Sequence, residues 1–399
     1  MWIRNALNRA LIQRTVRKSK SWTSSIEKAQ TSVFRAWIQE ISKTRQGSNH
    51  WLKPEGGKSL FQKNVFPHTW EDTRAFLEEY KEDEASPIWP KPPIAWIPSL
   101  NTPGFQFPLT ESGLQSLAKA LLDAYHIFLH HKNPVGPKAS ITFIWPEEVP
   151  EIQGGLGRLV HPYYRGQFSF STQKSPKSPE VLIGRPRDLL NLNQAYEEVK
   201  LLVLIGQGRT ALKPALKNKF KNAEVHSLSW EAFQILSFQS LDRPEYHVFF
   251  ANHGAYFEAQ DLHSKEIKEL SNISPNQTFM VLVSNNNGLI RFQSNEYYQS
   301  GEEMGRFKSL GSLLFEGNQV FLFQEELETA LKNWQEEDDQ ILLDYTLHPK
   351  SKGLKISVKT KGGTSLSPQA LDSHLCKTCF SYSEARKSGS LTALELEKS

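Results

Sequence analysis

The sequence predicts an α/β protein built from at least two units. Between residues 139 and 230 short apolar runs, ASITFIWP, VLIG, LLVLIGQG and AEVHSLSW, alternate with amphipathic segments such as ALKPALKNKF. That alternation is the mark of parallel strands joined by crossover helices. Further on, QILLDYTLHP and LKISVKT read as two strands closed by a helical SPQALDSHLCKTCFSYSEAR, a small α+β unit. At 399 residues the chain exceeds what one ordinary core supports.

From the N-terminus, residues 1–45 read as one or two helices, with Trp22, Phe34, Trp37 and Ile41 as apolar teeth. The first 22 residues carry Arg4, Arg9, Arg14, Arg17, Lys18 and Lys20 before the first acid at Glu27, a pattern that fits either a transit peptide or a helix with a basic outer face. Thr69 is the expected N-cap of a helix that runs into RAFLEEY, with Glu71 and Asp72 in its first turn. The proline-rich stretch 86–110 is extended or turned, and from Thr110 the pattern ESGLQSLAKALLDAYHIFLHH predicts an amphipathic helix capped by that threonine. Residues 247–257 and 279–298 look antiparallel, and QEELETALKNWQEEDD reads as a surface helix. In FMVLVSNNNGLIRF, residues 279–292, an apolar run meets Asn-Gly and resumes, which predicts a hairpin whose second strand would place Leu289 and Arg291 on one face and Ile290 and Phe292 on the other.

Composition narrows the class. With 38% hydrophobic and 23% charged residues, and no apolar stretch near the ~18 residues of a membrane helix, a soluble chain is expected. Forty-seven Lys and Arg against 43 Asp and Glu leave +4 without a dominant basic block, so neither nucleic acid nor membrane is implied. Two cysteines, Cys376 and Cys379, argue against a disulfide framework and for the cytoplasm. A single CxxC with His374 and His348 nearby does not complete a tetrahedral metal site.

Three stretches are candidates for chemistry. IPSLNTPGFQFPLT, residues 97–110, is a turn-rich loop feeding a helix, the shape of a phosphate cradle, yet no Lys or Arg lies from Pro92 to Leu117. LIGQGRTALKPAL places Gly206 and Gly208 between a buried strand and a helix, where a tight turn serves either packing or a ligand. SLSWEAFQI carries Glu231 at a strand end, either paired by a base or available to a hard cation such as Mg²⁺.

Taken in order, these segments resemble the auxin-responsive Gretchen Hagen family of acyl-acid amido synthetases, relatives of the adenylate-forming ligases. Trp70-Glu71-Asp72 resembles its Tyr-Glu-Asp motif, and Pro108 to Thr110 the end of its phosphate loop. Glu231 falls at the glutamate of its Ser-Ser-Glu-Gly segment, and Gly254, Tyr256, Phe257 and Glu258 on its Gly-x-Tyr-Phe-Glu-Phe strand. GLIRF resembles Gly-Leu-Tyr-Arg-Tyr, which puts Glu296 at the acid that holds the nucleotide ribose; Leu375, Cys379, Tyr382 and Arg386 match a C-terminal Leu-x-x-x-Asn-x-x-Tyr-x-x-x-Arg.

The resemblance implies a large adenylation-like domain over 1–305 with a small C-terminal lid over 306–399, acting as a monomer. It implies ATP and Mg²⁺ as cofactors and a small carboxylic acid and an amine or amino acid as substrates, the acid being activated as its acyl-adenylate. Glu296, Gly206, Gly208, Arg291 and Thr102 are the implied nucleotide residues and Glu231 the implied metal ligand. The departures are equally specific: the phosphate loop lacks its Ser, Thr-Thr and Lys, Ser312 replaces the hinge arginine, and Glu326 stands where a lysine is usual. Two functions follow, a divergent amido synthetase or an impaired descendant that binds a small acid or nucleotide, or serves as an interaction protein.

Overall fold

The computed structural model describes residues 2–81, 88–98, 106–132, 139–144, 168–171, 179–193, 196–231, 234–317, 320–337, 341–350, 353–360 and 367–398. The chain divides into two compact units, one of Met1–Ser140, Glu147–Ser169 and Leu228–Ser309, the other of Ile141–Pro146, Phe170–Ser227 and Leu310–Ser399.

In the first unit an antiparallel sheet runs in the order Ile267–Glu269, Ala255–Asp261, Thr278–Asn285, Phe292–Ser300, Phe307–Gly311, His247–Phe249, Gln234–Gln239 and the second half of Glu224–Glu231. Helix Ile26–Ile41 packs on strand Ala255–Asp261 because one of its stripes, Val33, Phe34, Trp37, Ile38 and Ile41, is apolar and buried. Gln30 on that stripe satisfies the start of the strand: its amide donates to the Ala251 and Ala255 carbonyls, and its oxygen accepts from the Phe257 N–H. Helix Glu111–Lys132 packs against helix Trp2–Ser24 and strand Gln234–Gln239. Both expected caps form. Thr69 and Asp72 exchange hydrogen bonds around the start of Trp70–Lys81, and the Thr110 hydroxyl accepts from Gly113 N–H at 3.0 Å.

In the second unit Ile141–Ile144, Val181–Gly184, Leu201–Leu204 and the first half of Glu224–Glu231 pair in parallel, as the alternating apolar runs predict. Helix Gln324–Glu337 and the hairpin Leu342–Lys350 with Gly353–Thr360 follow, and Glu395–Lys398, which the sequence did not suggest, adds a parallel strand at Ile356 and Leu396. Helix Gln324–Glu337 is not a surface helix: Leu327, Glu328, Ala330, Leu331 and Trp334 are buried. The closing helix is two, Pro368–Thr378 and Phe380–Lys387, broken at Cys379.

The expected boundary at 305/306 falls in a turn tied down by Arg306, which pairs with Asp242 and Glu303. Residues 306–399 do not stand alone, since Ala211 and Leu212 share one apolar core with Leu327, Leu331, Ile356, Leu371 and Tyr382. That shared core joins Ala211 and Leu212 to the described C-terminal helices and strands.

Candidate nucleotide site

Glu296 is aimed by an irregularity in the sheet. Along Phe292–Ser300 the register slips opposite Met280 and Leu282, and Asn295 takes a left-handed φ of 55°. Such a bulge bends a strand and re-aims a side chain. Ser294 fixes it by donating to the Val281 carbonyl at 2.8 Å and accepting from the Glu296 N–H at 3.2 Å. The Glu296 carboxylate, 7% exposed, then accepts from the Ser229 hydroxyl at 3.1 Å. Glu231, 6% exposed, ends the strand that carries Ser229, opposite Gln234 and just past a register shift between Ser229 and Trp230. A buried carboxylate such as either of these suits a ligand hydroxyl or a cation.

Among the described residues no group of three or more His, Cys, Asp or Glu could hold a metal. Mg²⁺ in nucleotide sites takes one or two carboxylates plus substrate phosphates, a requirement that Glu231 fits.

Arg291 goes elsewhere. The strand begins only at Phe292, because Arg291 takes φ 45°, so the simple face alternation expected from Leu289 onward does not hold. Its guanidinium, 2% exposed, donates from Nε and Nη2 to the two Glu258 oxygens at 2.7 Å each and from Nη1 to the Val65 carbonyl at 2.5 Å, and lies 4.8 Å from the Phe61 ring centre. This is a bidentate buried pair that ties the hairpin to strand Ala255–Asp261. The hairpin itself forms, with Val283 opposite Phe292 and Gly288 at φ 83°, where a Cβ would fall 2.4 Å from the Ile88 carbonyl.

The glycine turn of the second unit is a filled anion cradle. Gly206 and Gly208 take φ 72° and 87°, and the N–H groups of Gly208, Thr210 and Ala211 converge on the fully buried Glu328 carboxylate at 2.9, 2.9 and 3.3 Å. Gln324 and Tyr345 donate to the same carboxylate, and Glu325 takes Arg209 and the Thr210 hydroxyl. Thr102 lies outside the described residues. The CxxC cysteines are free thiols, with burial pushing Cys379 up to about 11. Around them Asp372 accepts from Tyr382 and Arg386, so that C-terminal motif clamps two helices together.

Ser229 and Ser294 organise the site. Ser229 shows itself in sequence only as the position two before Glu231, and Ser294 through nothing local, since the bulge it fixes depends on a partner strand.

No family model matches the chain, and no curated protein matches it. Solved structures do. The molecule has the fold of the adenylate-forming ligases. It is similar to the acyl acid amido synthetase AtGH3.15 in complex with 2,4-DB, at 14% identity and TM-score 0.69, over 97% of this chain and 89% of that one. A second structure of the GH3.15 acyl acid amido synthetase matches at 13% identity and TM-score 0.66, over 95% and 87%. 2-Hydroxyisobutyryl-CoA ligase in the postadenylation state with 2-HIB-AMP matches at 12% identity and TM-score 0.56, over 94% and 86%.

Proposed function

We propose that this chain is a divergent acyl-acid amido synthetase that binds a nucleotide through Glu296 and a small carboxylic acid, with adenylation much slowed. The observation that carries the proposal is the buried Ser229–Glu296 hydrogen bond, on the strand that ends at Glu231. Glu296 is the acceptor for ribose hydroxyls, and Ser229 orients it. Glu231 is the ligand for Mg²⁺. ATP supplies the adenylyl group and Mg²⁺ offsets charge on its phosphates. Likeness to ligases with bound adenylate supports nucleotide use, and a small acid with an amine or amino acid as partners follows from the amido synthetases.

Slowness has its own support. The stretch from Pro92 to Leu117 offers no cation, and each lost transition-state donor costs about 10²–10³ in rate. Gly206, Gly208 and Arg291 are left out of the nucleotide site because Glu328 and Glu258 already hold the Gly208 N–H and the Arg291 guanidinium. The test is acid-dependent exchange of labelled pyrophosphate into ATP with aryl acids and Mg²⁺. Very slow or undetectable exchange beside measurable nucleotide binding is expected. Robust exchange abolished by Glu231→Ala would establish a working enzyme and refute the slowed reading.

A further inference from the structure

Two large aromatic side chains of the first unit stand in solvent: Trp51 is 75% exposed and Phe66 78%. The segments that carry them adjoin, since the Asn64 amide donates to the His50 carbonyl at 3.2 Å and the His50 and His68 rings meet edge to face at 5.5 Å. Scattered apolar residues on a surface need no explanation, but two exposed rings on adjoining turns mark an interaction site.

The backbone holds both rings outward. Helix Arg45–Asn49 closes with two hydrogen bonds, from the Trp51 N–H to the Ser48 carbonyl and from the Leu52 N–H to the Gly47 carbonyl, each 2.9 Å. This closure sets a left-handed residue at position 51, where glycine is usual. Tryptophan takes it at φ 55°, which destabilises the turn, while Leu52 joins the buried cluster of Trp37 and Ile41. A bulky ring that strains its own turn and remains in solvent points to a role outside the fold. Phe66 is fixed from both sides: Arg291 Nη1 donates to the Val65 carbonyl at 2.5 Å, and the His68 N–H donates to the Arg291 carbonyl at 3.0 Å.

Charge indicates the partner. Residues 43–68 carry Lys43, Arg45, Lys53, Lys58 and Lys63 against one acid, Glu55, a local excess that the chain's +4 conceals. Lys43 pairs with Glu40 and Lys58 with Glu269, while Arg45, Lys53 and Lys63 are exposed. Asp72, beyond this span, is taken by the Thr69 cap. Aromatic rings among cations suit the headgroup layer of an anionic bilayer, where Trp settles and each Lys or Arg gains attraction. Both rings project from turns and not from a groove, which favours insertion between headgroups over stacking along a nucleic-acid strand or seating in a protein pocket. Among the described residues no helix is long and apolar enough to cross a membrane, so the contact is peripheral.

We propose that Trp51 and Phe66 dock this chain on an anionic lipid surface, the rings entering the headgroup layer and Arg45, Lys53 and Lys63 meeting its negative charge. The site shares no residue with Glu231 and Glu296 and does not depend on the proposed nucleotide chemistry.

Co-sedimentation of the full chain with vesicles tests it. The wild type binds vesicles of equal parts phosphatidylcholine and phosphatidylserine, less at high salt, and does not bind phosphatidylcholine alone. Trp51→Gly and Phe66→Ser each weaken binding by about tenfold, and Lys53→Glu with Lys63→Glu by at least as much. Trp51→Gly also keeps or raises the melting temperature, because glycine relieves the left-handed residue, so its loss of binding is not a loss of fold. Absence of binding to the mixed vesicles, equal binding to phosphatidylcholine alone, unchanged binding in either aromatic variant, or a lower melting temperature in Trp51→Gly would each overturn the proposal. So would a dimer, or capture of single-stranded oligothymidylate, that Trp51→Gly abolishes.

Discussion

The Ser229 hydroxyl donates to the Glu296 carboxylate across 67 residues of sequence, joining the end of one strand to the bulge of another. The bond orients the acid. Ser229→Ala is expected to weaken AMP binding by about 1 kcal/mol, the usual worth of one such bond. In a double-mutant cycle with Glu296→Ala the two effects are less than additive. Strict additivity would separate the two residues.

Arg291 serves stability. Arg291→Met strands Glu258, 1% exposed, without its partner, and breaking a buried pair from one side costs about 3–5 kcal/mol. Urea denaturation should show that loss, and adding Glu258→Gln should return part of it. Unchanged stability in the single variant would remove the pair from the account.

Glu328 carries a comparable burden in the second unit. Glu328→Ala leaves the Gly208, Thr210 and Ala211 N–H groups unanswered beneath a shared apolar core. A loss of about 3–5 kcal/mol is expected, with Glu328→Gln between it and the wild type. Thermal unfolding followed by circular dichroism measures both. A neutral Glu328→Ala would mean that solvent or another anion replaces the carboxylate at no cost.

Acid stability should report Asp261. Burial pushes its carboxyl up, but hydrogen bonds from Gln277, the Ser264 N–H and hydroxyl and the His263 N–H outweigh that and hold it at about 2. The folded pKa lies below the unfolded value of about 3.9, so this contribution is complete above that value and fades as the pH falls from about 4 towards 2. Asp261→Asn should flatten that part of the stability profile. An unchanged acid limb would contradict it.

Much of this was legible in the sequence where the signal is local. Thr69 and Thr110 cap helices as their neighbours imply, and the alternating runs from Ile141 to Ser227 are parallel strands. The glycine turn was visible too, but not its occupant: Glu328 lies 120 residues from Gly208, and helical spacing alone could not reveal that the first turns of QEELETALKNWQEE face a turn rich in backbone N–H donors and not water. Arg291 misled for a related reason. Strand alternation presumes extended backbone, and a left-handed residue at that point turned the guanidinium towards Glu258, 33 residues away. Glu296 could be singled out only through resemblance, because the bulge that aims it is written in the pairing of two strands.

Calorimetric titration of ATP into the wild type and Glu296→Ala tests the central claim most directly. Measurable binding by the wild type, weakened by about 1–3 kcal/mol in Glu296→Ala as removal of a charged hydrogen-bond acceptor requires, is the expected result. Equal affinity in the two proteins, or no binding by the wild type, would contradict a nucleotide site at Glu296.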